Sequence, residues 1–348
     1  MEFNESFTGV VSEIVDSTKD DEFLRGLALD IFYRNLPSEI SKKIKSIHNN
    51  FSFNYRAKKH YQCQYRGCSD ESCYSHDISE NAFLKNLCRG DSEVVILKRN
   101  MKGNPIFSMG EYIHKRNATN FPGYCAKHDL DLFSDVEDGN QKLDDYFVNK
   151  QCLRSTRREI FEVECQINMG SDFVKTVLSE NDENNILIID IVGNFNRKID
   201  ALKKRRLNLL DLHEKIMRGI ESKDYLVEFR ELDAGKKGFC FSACLDLTLD
   251  EDEEECILYF YNLEFKNESK AFVCSLKNSL SRGYLDNFIS NSLLNFSKII
   301  FQKKMNLVFS KEFFEKISEG VKLILNNEPE LYSINNIEAS LISQDLFS

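Results

Sequence analysis

The sequence has no tryptophan, only four prolines and no long apolar run. No segment approaches the about 18 consecutive apolar residues of a transmembrane helix, so we expect no membrane span. Residues 1–6 lack the basic start and apolar stretch of a secretory signal, which predicts a cytoplasmic protein. Gly103, Gly110 and Gly123 lack the strand-to-helix context and lysine spacing of a phosphate loop, which argues against ATP or dinucleotide binding.

Charge is unevenly distributed along a chain whose net charge is −10. Residues 41–127 contain fifteen Lys or Arg and seven Asp or Glu, a local charge of +8, so the remainder sums to −18. Phosphate backbones respond to local basic patches rather than to the charge of the whole protein. Nucleic acid is therefore a candidate partner for region 41–127, although these cations could equally be the solvated faces of ordinary helices.

Eleven cysteines in a chain of 348 residues for which we expect no secretory leader favour metal binding and buried thiols over disulfides. Seven of them lie on apolar or strand-like stretches, where we expect them to be buried as small hydrophobic residues. These seven are Cys88, Cys152, Cys165, Cys240, Cys244, Cys256 and Cys274.

The remaining cysteines form the strongest chemical pattern. Cys63 and Cys68 have the spacing of a metal-binding knuckle, and Cys125 and His128 form a Cys-x₂-His pair that opens a predicted helix. Thiolate and imidazole are ligands that Zn²⁺ prefers, so we predict a structural zinc site. Cys73 is an alternative ligand, because four residues separate it from Cys68, as four residues separate Cys63 from Cys68.

Two ligand sets are compatible with this spacing. If Cys63, Cys68, Cys125 and His128 close the tetrahedron, His76 remains outside it and is available for chemistry. If Cys63, Cys73, His76 and Cys125 close it, the site is saturated and inert.

The pattern of apolar residues predicts an α+β protein in four parts. We expect a helical lead-in at 1–47, a zinc-binding treble-clef-like domain at 48–150, a helical connector at 151–224 and an α+β domain at 225–348. Within the connector, apolar spacing predicts one helix from near Asp144 through Cys165 and another at about 186–221. The last part reads as an antiparallel sheet covered by helices.

The zinc pattern resembles the HNH, or ββα-metal, nucleases. In that family a histidine activates water, an asparagine orients it, and a His or Asp on a helix holds a divalent ion against the phosphate. The resemblance implies His76 as general base, Asn120 or Asn117 as the orienting amide, and His128 or Asp129 as ligand of a catalytic Mg²⁺ or Mn²⁺. An acidic residue usually precedes the base in that family, and Ser75 occupies this position here.

A second resemblance rests on residues 74–79 and 121–133, which are similar to segments of uncharacterised bacterial proteins from mobile or anti-phage defence islands. Together the resemblances imply a zinc-containing, metal-dependent nuclease of HNH type that acts on nucleic acid in bacterial anti-phage defence. The alternative is a zinc-stabilised module, without enzymatic activity, that binds nucleic acid or a protein partner. The apolar stripe at 186–221 would allow either packing within the chain or a homo-oligomer.

Overall fold

The computed structural model describes residues 61–88, 90–97, 110–137, 141–180, 186–233, 235, 237–248, 255–266, 268–289, 292–326 and 334–347. The predicted helical lead-in, 1–47, lies outside these residues, as do the lysines and arginines of the basic region that precede Tyr61. The described part is an α+β structure, as predicted from the apolar pattern.

Short elements form the first part. In chain order the strands are β1 (Tyr74–His76), β2 (Glu93–Ile96), β3 (Glu111–His114) and β4 (Asn120–Pro122), and β4 leads into helix α1 (Ala126–Phe133). A π-helical turn (Glu80–Leu84) that continues into Lys85–Leu87 separates β1 from β2. Two 3₁₀ turns follow β3 and α1, at Lys115–Asn117 and Ser134–Val136.

Longer elements follow. They are α2 (Asp145–Glu180), α3 (Ile186–Ser222), β5 (Val227–Leu232), β6 (Phe239–Asp246), β7 (Ile257–Glu264) and β8 (Ser269–Leu276). The chain then forms α4 (Ser279–Ile289), α5 (Ser292–Gln302), a 3₁₀ turn (Lys304–Asn306), β9 (Leu307–Phe309), α6 (Lys311–Lys316), α7 (Glu319–Asn326) and α8 (Asn336–Phe347).

Within the described ranges, seven strands make one antiparallel sheet in the order β3-β2-β9-β6-β7-β8-β5. Strand β9 joins its two halves, because Phe309 pairs with Val95 of β2 on one side and with Phe239 of β6 on the other. The sheet therefore takes strands from both the predicted zinc domain, 48–150, and the predicted last domain, 225–348. The four-part division stays a prediction, and a boundary at 150 would divide this sheet between two domains.

Both faces of the sheet are covered. Consecutive residues of β6 point to opposite faces: Cys240 packs with α2 and α3, whereas Phe239 and Phe241 pack with α4 to α8. This double burial explains why β6, β7 and β8 are nearly continuous apolar runs rather than alternating ones.

Helices α2 and α3 pack as an antiparallel pair, with Phe173 of α2 against Phe195 of α3 at a ring-centroid distance of 4.2 Å. The predicted limits of α3 agree with the structure, whereas α2 continues to Glu180, well beyond Cys165. A Cβ placed on Gly170 would lie 3.2 Å from Ile199, so the glycine permits close approach of the two helices. Ile199, Leu209, Leu212 and Ile216 of the apolar stripe of α3 are buried within the chain. Among the described helices, none combines the length and apolar character that a membrane span requires.

Candidate metal centre

The first two cysteines of the centre lie in a tight loop. The Cys63 N–H donates to the Asp70 carbonyl at 2.8 Å, and the Cys68 N–H donates to the Tyr65 carbonyl at 3.0 Å. Gly67 has a φ of +76°, a left-handed conformation that costs other residues about 1–2 kcal/mol. The loop therefore turns sharply enough to present both thiols to one side.

The other two candidate ligands open helix α1. Cys125 is its N-cap residue, and the Asp129 N–H donates to the Cys125 carbonyl at 2.9 Å. Because residues three apart on a helix share a face, His128 returns to the side of Cys125. Its Nδ1 lies 3.2 Å from the Cys125 Sγ and 3.5 Å from the Cys63 Sγ.

Cys63, Cys68, Cys125 and His128 bring one ligand atom each within 4.8 Å of one another. A tetrahedral metal with bonds of about 2.0–2.3 Å holds its ligands at comparable separations, so this cluster could hold a metal ion. Cys73 is not part of the group, and the alternative set that combines Cys73 with His76 is not assembled in the described residues.

The thiols of the cluster perturb one another. The backbone N–H of His128 lowers the pKa of Cys125, as expected for a thiol at a helix N-terminus. For Cys68, the N–H of Asp70 lowers the pKa, but loss of hydration and the nearby thiols outweigh it and raise it to about 11. Three thiolates cannot be charged so close together without a cation, and a divalent metal would remove this conflict.

A two-stranded ribbon connects the loop to the helix. Strands β1 and β4 pair antiparallel, with Ser75 opposite Phe121 and His76 opposite Asn120. Residues 77–119, which separate the two strands in sequence, include β2 and β3 of the large sheet. The order is thus knuckle, strand, long insertion, strand and helix.

The inner face of the ribbon packs against α1 and α2. Ser75 is buried and its hydroxyl accepts from the Tyr124 N–H at 3.4 Å. The same hydroxyl lies near the Asp129 carboxylate and acts to lower the pKa of that group. Burial raises the pKa of Asp129 while Arg154 opposes the shift, and Asp129 Oδ1 is buried without a hydrogen-bond partner. The Asp129 side chain, which comes from α1, therefore lies against the inner face of the ribbon.

The outer face carries His76 and Asn120. The His76 Nε2 lies 2.9 Å from the carbonyl oxygen of Arg116, and the Asn120 amide donates to the same oxygen at 3.5 Å. Since side chains alternate along a strand, His76 points away from the side on which Ser75 meets Asp129. Of the three predicted catalytic residues, His76 and Asn120 are neighbours, whereas Asp129 lies across the ribbon from them. Asn117 is exposed in the adjoining 3₁₀ turn.

Helix α2 holds this unit with buried charged side chains that no sequence pattern singled out. Arg154 is 2 % exposed, donates to Glu137 at 2.6 Å and stacks over Phe133 of α1 at 4.0 Å. Arg158 donates to the buried Asp77 carboxylate at 3.0 Å. The only available signal was a run of arginines inside a helix, which from sequence alone is more typical of a solvated face.

Tyr65, which lies beside two of the ligands, was also not predicted from the sequence. The Tyr65 ring stacks on the His128 imidazole with centroids 4.0 Å apart and planes within 10°. Such a neighbour fixes the orientation of a metal ligand. Tyr65 lies two residues after Cys63 and its N–H donates to the Cys63 Sγ at 3.4 Å, so it supports two ligands at once.

No family model, curated protein or solved structure matches this chain. The resemblances to HNH nucleases and to defence-island proteins therefore stay predictions.

Proposed function

We propose that the centre binds one structural Zn²⁺ through Cys63, Cys68, Cys125 and His128 in a treble-clef-like unit. Three thiolates and one imidazole are a donor set typical of structural zinc, and they leave no open position for a substrate. Two ligands come from a knuckle and two from the first turn of a helix, with a two-stranded ribbon between them. Bound zinc would supply no reaction chemistry here and would hold the ribbon against α1.

We further propose that the protein is a metal-dependent nuclease of HNH type with His76 as its general base. The observation that carries this proposal is the position of His76, outside the metal cluster and hydrogen-bonded to a main-chain carbonyl. A carbonyl can only accept, so the Nε2 of His76 carries a proton, and Nδ1 is the nitrogen left unprotonated when the ring is neutral. In that tautomer Nδ1 can take a proton from water.

Asn120 supports the same proposal. Its amide and the His76 ring converge on the Arg116 carbonyl, so the two side chains are held side by side. An amide in this position can hydrogen-bond an attacking water. A catalytic Mg²⁺ or Mn²⁺ would stabilise charge on the phosphate. The HNH resemblance assigns Asp129 to this ion, but Asp129 lies on the inner face of the ribbon. Oxygens of the substrate would therefore have to hold the ion beside His76.

The test is cleavage of plasmid and single-stranded substrates in Mg²⁺ or Mn²⁺. His76→Ala should cut at least about 100-fold more slowly than wild type while retaining its zinc, because general bases contribute that much or more. Asn120→Ala should also be impaired, and Asn117→Ala, which changes an exposed amide in the adjacent turn, is the matched control. Equal cutting by wild type and His76→Ala would refute the proposed role of His76.

A non-enzymatic binding module is the second candidate, and the position of Asp129 favours it. Asp129 lies on the inner face, and the described residues contain no second group of three or more Cys, His, Asp or Glu side chains arranged for a metal. In that case the outer face would bind its partner without cutting it. Absence of cutting by the zinc-loaded wild type on every substrate and ion would support this candidate over the nuclease.

A further inference from the structure

We infer that the outer face of the ribbon binds unpaired nucleic-acid strands, with a base stacked on Tyr74 and a phosphate held by Arg116. This inference rests on the proposed function, since it names the substrate class of the face that carries His76. The expected ligand is a strand whose bases are not paired.

Tyr74 is placed for this role by the strand. Its side chain is 46 % exposed, whereas Ser75, the next residue, is buried. Residues two apart on a strand lie on the same face, roughly 6.6 Å from each other. Tyr74 and His76 therefore share the outer face, and a base against Tyr74 would bring its flanking sugar and phosphate towards His76.

The charge of this face suits a phosphate. Arg116 is exposed, and in the described part of the chain no carboxylate pairs with its guanidinium. The neighbouring cation, Lys115, is within 3.6 Å of Glu80 and is already partly neutralised. The main chain at Arg116 is held by its own N–H, which donates to the His114 Nδ1 at 3.2 Å, and by its carbonyl, which His76 contacts. The main chain of Arg116 is thus fixed beside the candidate base, and its exposed side chain extends from that point.

The requirement for an unpaired strand follows from the aromatic ring. Within a duplex, base faces are covered by neighbouring pairs, so an exposed tyrosine can stack only on a base that is unpaired or extruded. Base–aromatic stacking with a cationic groove is the usual means of binding single strands with little sequence preference. Base faces and phosphates are common to DNA and RNA, so the experiment includes both.

The experiment measures fluorescence anisotropy of labelled single-stranded DNA, single-stranded RNA and the matching DNA duplex, without divalent ions and at fixed salt. We expect wild type to bind a single strand at least about tenfold more tightly than the duplex. Tyr74→Ala should weaken this binding by about fivefold or more, and Tyr74→Phe, which keeps the ring, should not. Arg116→Gln should weaken binding and reduce its salt dependence by about one phosphate contact. Tyr284→Ala, at an exposed tyrosine of α4, is the control, and the zinc content of each variant is checked.

Equal affinity for duplex and single strand, no binding by wild type, or wild-type affinity of Tyr74→Ala would each overturn the inference. These outcomes are separable from failure of the proposed function. Tight single-strand binding that depends on Tyr74, without cleavage, would support the inference and refute the nuclease. Cleavage that depends on His76 but is unchanged in Tyr74→Ala would do the reverse.

Discussion

Tyr124 and His213 are joined by a buried hydrogen bond, with 2.5 Å between the phenolic oxygen and Nε2. Tyr124 immediately precedes the candidate ligand Cys125, and His213 lies in α3, so the bond ties the metal centre to the helical pair. Burial, together with the nearby charge of Arg157, lowers the pKa of His213 to about 3. The imidazole is therefore neutral and serves as the acceptor for the tyrosine hydroxyl.

This depressed pKa predicts acid destabilisation through His213. An unfolded histidine titrates near 6.5, so below that pH the unfolded chain binds a proton that the folded chain excludes. Stability that is present above pH 6.5 is lost as the pH falls towards 3, by up to about 1.4 kcal/mol per pH unit. Urea unfolding between pH 6.5 and 5.0 should show a steeper pH dependence for wild type than for His213→Gln.

Tyr124→Phe is the control for this measurement, because it removes the hydrogen bond and keeps the titrating imidazole. It should be less stable than wild type at every pH but retain the wild-type slope. Protonation of the metal ligands affects all three proteins and cancels in the comparison. Parallel pH dependences for wild type and His213→Gln would contradict the prediction.

Removal of one ligand should release the metal. We expect Cys68→Ser to bind Zn²⁺ at least about tenfold more weakly than wild type and to unfold at lower temperature, since binding free energy is also folding free energy. Cys73→Ser is matched in chemistry and lies outside the cluster, so it should retain one equivalent. Metal analysis of both purified variants measures this difference. Loss of zinc from Cys73→Ser together with retention in Cys68→Ser would show that Cys73, and not Cys68, is a ligand.

The Tyr65–His128 stack predicts an effect on metal affinity without loss of a ligand. Groups that orient metal ligands typically contribute 10–100-fold in affinity. Tyr65→Ala should therefore release zinc to a competing chelator more readily than wild type by about tenfold. Tyr65→Phe preserves the ring and should behave as wild type. If Tyr65→Ala and Tyr65→Phe both retain zinc against the chelator as well as wild type does, the stack does not position His128.

Some of the site was predictable from the sequence because its chemistry is local. Cys63 with Cys68 and Cys125 with His128 are each close in sequence, and thiols at metal-binding spacing form a distinctive pattern. Helix α3 was predictable because Ile199, Leu209, Leu212 and Ile216 follow one helical stripe, and all four are buried. In both cases the signal lies within a few turns of chain.

Long-range packing left no such signal. The pairing of Val95 with Phe309 joins strands more than 200 residues apart, and nothing local distinguishes β2 as a strand of the large sheet rather than of a small zinc domain. The burial of Arg154 depends on Glu137 and on the ring of Phe133. Its partners arrive only when α1 and α2 pack, so a pattern read along α2 misplaces the side chain in water.

The Asp77–Arg158 pair shows how much this long-range packing contributes to the site. Asp77 follows His76 directly, is 1 % exposed, and accepts from Arg158 at 3.0 Å and from the Ser155 hydroxyl at 2.7 Å. Removal of Arg158 leaves the Asp77 charge buried without an ion-pair partner among the described residues, which typically costs about 3–5 kcal/mol. Removal of the Asp77 charge leaves Arg158 only a longer contact, 4.0 Å, with Glu162. We therefore expect Asp77→Asn and Arg158→Met each to be strongly destabilised in urea unfolding.

The double variant separates the value of the pair from the penalty of an unpaired charge. Replacement of both partners removes the buried charges together, so Asp77→Asn combined with Arg158→Met should be more stable than the sum of the two single effects predicts. The same variants also report on His76. If the pair holds the end of β1, the single variants that remain folded should lose activity or binding at the outer face before they lose zinc. Additive free energies in the double variant would show that the two side chains act independently. The connection from α2 to the outer face would then have to run through the Gln151 amide, which donates to the Asp77 carbonyl at 2.8 Å.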